Sequence, residues 1–212
     1  FKAGEYPSLL PLRRSIQMII DNMREHGGIY QMLSAIRDIE KQRSHSNTRV
    51  AVAIDAIGLG LFLGLPSMKV MDLALCGILG GLTKNNSPLE SVTPIFSFSG
   101  LGESAVGLVL TIHDARDSKN GAQVGVLGNI LMISEAYHEL LNSYPEIPLP
   151  DLVKKMAKGE VEGLDQGVSQ TFARYKGLYP IGSILELDRD LVVVMGHANN
   201  DKGKKRPIVS KM

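Results

Sequence analysis

The chain has 212 residues, 44% of them hydrophobic, which is enough for one substantial core or for one core plus a small appendage. A net charge of +1 gives no global pull toward nucleic acid or a membrane surface, and 5% aromatic residues without a Trp disfavour a base-stacking module. The single cysteine, Cys76, excludes an internal disulfide and a thiolate zinc site and suits a reducing cytoplasm.

The first residue is Phe1 rather than Met, so the chain reads as a piece excised from a longer protein, with residues 1–28 as an N-terminal helix leading from an upstream domain. Within residues 8–25, Ile16, Ile19, Ile20 and Met23 recur at helical spacing, and Gly27-Gly28 is expected to stop that helix. A second helix over 29–41 carries the stripe Ile29, Met32, Leu33, Ile36 and Ile39. Ser44 or Ser46 then caps a long apolar helix that ends near Gly64 and Pro66. Its run from Val50 to Leu65 has only 16 residues, with Asp55 and three glycines among them. That is a buried core helix rather than a membrane span, and no signal peptide precedes it. Ser67 is expected to cap the next helix, which runs through Leu79.

Residues 85–99 are rich in Ser, Asn, Pro and Phe and read as a loop, after which helices are expected over 100–113, 123–142, 149–158 and 166–175. The period then changes. Ile184–Leu187 and Leu191–Met195 are short β-type runs around Asp188-Arg189-Asp190, a hairpin signal, and Pro207–Val209 adds a third strand. The basic run Lys202, Lys204, Lys205 and Arg206 is most simply a solvated loop. The expected architecture is therefore an all-helical domain over 29–212 with a small C-terminal β-appendage at about 184–209.

Several segments, in order, carry a resemblance. Arg43-Ser44-His45-Ser46 is followed by Cys76 to Lys84, containing Gly80-Gly81, and then by Ile112-His113-Asp114-Ala115-Arg116-Asp117-Ser118. Next come Ile130 to Tyr137, containing Glu135, and Tyr179-Pro180-Ile181-Gly182-Ser183-Ile184-Leu185-Glu186-Leu187. Over roughly residues 30–210 this order resembles HD-GYP domains, metal-dependent phosphohydrolases of the HD superfamily that hydrolyse cyclic di-GMP. The resemblance implies an HD-type helical fold and a set of metal-ligand positions. His45 keeps the first of them and His113 another, and Glu135 stands where the last metal Asp belongs. Gly80 and Gly81 replace the central His-Asp pair, Ile112 replaces a further His, and the helix-borne His between His45 and His113 is missing, as is the Gly-Tyr-Pro signature.

Such hydrolysis needs two or three metal ions that acidify a bridging water and neutralise the phosphodiester oxygens. With these losses the resemblance implies an inactive relative, with no catalytic residue, metal or cofactor. The expected role is a regulatory or protein-interaction module in bacterial signalling, whose partner is a signalling protein or an upstream sensor or receiver domain. A second reading is a receptor that binds cyclic di-GMP without cleaving it, with Lys84 and Arg116 holding phosphate. A third is a phosphodiesterase with a site reorganised on His45, His113, Asp114 and Glu135. Neither nucleic acid binding nor membrane insertion of this segment is expected. A homodimer is, because the apolar run from Val50 to Leu65 and the stripe on residues 16–36 offer more apolar surface than one core needs. Two further motifs fail on inspection. Gly77 to Lys84 lacks the spacing of a phosphate-binding P-loop, and Gly102-Glu103-Ser104-Ala105-Val106 is one residue short of a nucleophile elbow.

Overall fold

The computed structural model describes residues 8–35, 45–80, 107, 125–199 and 205–212, without the side chains of 45–47, 199 and 205. The described elements are six helices followed by a three-stranded antiparallel sheet: α1 (Leu10–Ala35), α2 (His45–Phe62), α3 (Ser67–Leu79), α4 (Val126–Ser143), α5 (Leu149–Ala157), α6 (Gln166–Lys176), β1 (Ile184–Leu187), β2 (Asp190–Asn199) and β3 (Lys205–Lys211). The expected mostly helical body with a β-appendage at its C-terminal end is what forms. The segments 85–99 and 112–118, with the Gly102 to Val106 stretch, lie outside the described residues.

α2 is the axis of the body. Every residue from Ala51 to Gly60 is buried, as expected of a helix apolar on all sides. It packs against α1, α3, α4 and α6. Small residues let α3 come close: a Cβ added at Gly77 would lie 2.8 Å from the Ala53 Cα. The helix stops where glycine permits it. Gly64 takes φ +70°, its N–H donates to the Leu61 carbonyl and the Leu65 N–H donates to the Gly60 carbonyl, a Schellman cap. Most of the Val50–Leu65 run is thus covered by the chain's own helices, with Val50, Phe62 and Leu63 left exposed at its two ends.

Two other expectations are corrected. The break expected at Gly27-Gly28 falls one residue earlier, at His26 (φ −128°, ψ 35°). Two helical stretches meet at a kink there and together make α1, which continues to Ala35 because neither glycine adopts a positive φ and the second stretch finds its own packing. Ser34 and Ala35 are buried there, and Gly28 faces Ile181. Ser67 is not a cap but the first residue of α3. Pro66 holds the cap position with no side-chain bond, and the Ser67 hydroxyl instead accepts from Arg24 Nη2 at 2.7 Å.

The remaining helices enclose one apolar cluster, with Ile130, Tyr137, Leu152, Met156 and Phe172 at its centre, while Ile16, Ile20, Ile57, Val70 and Leu75 form a second cluster between α1, α2 and α3. α6 begins on Asp165, whose carboxylate accepts from the Val168 N–H at 2.8 Å. β1 and β2 are joined by Asp188 and Arg189, both at positive φ (50° and 72°), the two-residue turn whose twist matches that of the strands. β2 runs longer than the apolar signal implied, through His197 to Asn199, because β3 pairs along it past an irregularity at Val194/Gly196.

Candidate functional site

Among the described residues, two charged centres anchored on α2 lie inside the helical body. The first joins α2, α4 and the end of α3. Arg49 Nη1 donates to Glu135 Oε1 at 2.5 Å, with side chains 7% and 11% exposed. Gly80, just past the end of α3, completes the place: a Cβ there would sit 3.2 Å from Arg49 Nη1 and 3.4 Å from Glu135 Oε1. Burial lowers the Arg49 pKa from its usual value, and the Glu139 carboxylate, one turn along α4 from Glu135, opposes that shift. The arrangement is a buried cation held against one acid directly and a second at longer range.

Two of the positions expected to be metal-ligand relics, Gly80 and Glu135, are therefore brought together. His45 opens α2 one turn ahead of Arg49. Gly81, Lys84, Ile112, His113, Asp114 and Arg116 lie outside the described residues. A metal as the resemblance implies does not fit between the described groups. The Glu135 carboxylate that would ligate it is held by a guanidinium, and Gly80 has no side-chain donor to offer.

The second centre is deeper and joins four helices. Asp55, fully buried on α2, accepts from Lys176 Nζ of α6 at 2.6 Å and from the Ser34 hydroxyl of α1 at 3.1 Å, and it pairs with His138 Nε2 of α4 at 2.9 Å. The Lys176 ammonium also lies 4.7 Å from the Tyr137 ring centre, 5.5 Å from that of Tyr175 and 5.6 Å from that of Phe172. Burial alone would raise the Asp55 pKa, but Lys176 and then His138 outweigh it and hold the carboxyl down at about 2. Burial lowers the Lys176 pKa, and Asp55 opposes the shift. With Asp55 and His138 at 0% and Lys176 at 2% exposure, this cluster meets no substrate. Its chemistry is that of a clasp holding α1, α2, α4 and α6 in register.

An acid-range prediction follows from the Asp55 shift. Its folded pKa lies below the unfolded value of about 3.9, so its contribution is fully present above that value and is lost as pH falls through about 2. The stability gap between the native chain and Asp55→Asn is expected to narrow by about 2 kcal/mol between pH 4 and pH 2. Urea unfolding at each pH measures it, and a constant gap would contradict the assignment.

Arg49, Asp55, His138 and Lys176 were not among the sequence-derived candidates. Signals for the last three existed: a lone Asp in an apolar helix implies a buried counter-charge, and His138 and Lys176 each directly follow a tyrosine on a helix with an apolar face. No family model, no curated protein and no solved structure matches this chain.

Proposed function

We propose that the chain is a catalytically inactive relative of HD-GYP domains that works as a regulatory or protein-interaction module in bacterial signalling. The observation that carries this reading is the Arg49–Glu135 pair beside Gly80. Two positions that the resemblance assigns to metal ligands meet there, and the positive charge between them belongs to the protein. A guanidinium balances a carboxylate as a metal ion would, but it binds no water to acidify and stays protonated at any working pH. The helical frame is thereby kept while the reaction is given up. Self-pairing belongs to the same reading, through Leu10, Met18, Ile29 and Leu33, which α1 leaves exposed.

The test is attempted repair. Purified protein is expected to hold no stoichiometric iron, manganese or zinc, and the pair Gly80→His with Gly81→Asp is expected to hydrolyse no cyclic di-GMP in manganese or ferrous iron. A His at 80 would point into the Arg49–Glu135 pair and overpack it, costing about 1–3 kcal/mol. Thermal melting reads that cost. Clear turnover by the double variant, or one tightly held ion per native chain after dialysis, would refute the proposal.

A further inference from the structure

A cavity of about 500 Å³ opens between the kink of α1, the C-terminal half of α2 and Tyr175 of α6, whose ring it shares with the Asp55 cluster. Its glycines are not equivalent. Gly58 is committed to packing, since a Cβ there would fall 2.0 Å from the Tyr175 hydroxyl oxygen, and Gly64 is committed to its positive φ. Gly27 is committed to neither. It lies within α1, its φ is not positive, and a Cβ would meet nothing within 4 Å. Gly27 follows the non-helical His26 at the kink, and its lack of a side chain leaves the cavity unfilled.

The walls define a chemistry. Met23, Leu61 and Leu65 are apolar, and Phe62, 46% exposed, stands with Tyr175 as a pair of tilted rings 5.9 Å apart. Among the described residues one charge lines the space, the Arg24 guanidinium, which Ser67 Oγ orients through Nη2. Asp21, 3.8 Å away and half exposed, is a weak counter-charge to it. A space of this size, walled by two rings and aliphatic side chains and carrying the Gln31 amide and one oriented cation, suits a small planar anion.

We propose that this cavity binds a small aromatic carboxylate, with the ring against Phe62, Leu61 and Leu65 and the carboxylate on Arg24. The site is independent of the signalling reading above and stands or falls separately. The probe is 2-naphthoate, titrated onto the full chain by ligand-observed NMR, with 2-naphthylmethanol as the uncharged comparison. Saturable binding of naphthoate in preference to the alcohol is expected. Gly27→Leu, which puts a side chain into the open space, is expected to weaken it on the order of tenfold, with no loss of melting temperature. Arg24→Gln, at an exposed position where the fold is not at risk, is expected to abolish the preference for the acid while leaving the alcohol's binding unchanged. Absence of saturable binding to the native chain overturns the proposal, as does equal binding by a folded Gly27→Leu. Retention of the charge preference by Arg24→Gln overturns it as well, whether or not the leucine variant folds.

Discussion

Asp55→Ala is expected to cost about 3–5 kcal/mol of folding stability, a large share of the roughly 5–15 kcal/mol available to an ordinary domain. The substitution strands the Lys176 ammonium, 2% exposed, with no carboxylate beside it, and removes the acceptor used by Ser34 and His138. A buried charge without its counter-charge is among the most costly defects a core can carry, and the rings of Tyr137, Phe172 and Tyr175 repay only part of it. Removing both charges together, as Asp55→Leu with Lys176→Met, is expected to cost clearly less than Asp55→Ala alone, because apolar groups of similar volume leave no ion behind. Urea unfolding followed by circular dichroism compares the two. If Asp55→Ala cost less than about 1 kcal/mol, the cluster would not be the clasp described.

The second large effect is expected at Arg49. Arg49→Ala removes the guanidinium from beside Glu135, 11% exposed and with Glu139 nearby on the same helix, and a loss of about 3 kcal/mol is expected. Glu135→Gln should relieve much of that loss when added to Arg49→Ala, giving a coupling energy of about 1–3 kcal/mol in a double-mutant cycle. Manganese is expected to restore none of the stability of Arg49→Ala, since Gly80 contributes no ligand where the guanidinium stood. A metal-dependent rise in melting temperature by several degrees would mean that a metal site survives behind Arg49. That result would go against the proposed exchange of metal for guanidinium.

The two centres differ in how legible they were. Glu135 and Gly80 were accessible because they sit in segments whose order along the chain carries the resemblance. Arg49 was not, because an arginine near the start of a helix is ordinarily a surface residue, and only the packing of α4 and the end of α3 over it makes it buried. Asp55 was noticed as an argument against a membrane span, and among the described residues no helix is long and apolar enough to be one. Its positive meaning needed partners 83 and 121 residues away, His138 and Lys176. No local pattern links residues at that separation.

The extent of α1 shows the same division. Gly27-Gly28 is a sound stop signal when only local propensity is weighed. The helix does break beside it, at His26, and resumes because the residues after it find burial, Ser34 at the Asp55 cluster and Ala35 against Gly182. Ser67 likewise has the right chemistry for a cap, yet its hydroxyl is drawn to Arg24, 43 positions earlier, once α1 and α3 lie side by side.

What the sequence by itself determined is what depends on neighbours a few residues apart. It set the helical periods, the change to a period of two after residue 183, the glycine stop at Gly64 and the Asp188-Arg189 turn. It also determined that the Val50–Leu65 helix is a core element, since no other environment accommodates that many apolar side chains around one Asp. Only the tertiary structure decided which charges meet. Asp55 joins Lys176 and His138, Arg49 joins Glu135 beside Gly80, and an unfilled cavity remains at the kink of α1. The physical reason is that burying a charge is tolerable only with a counter-charge within a few ångströms, and helix packing alone brings residues so far apart in sequence to that distance.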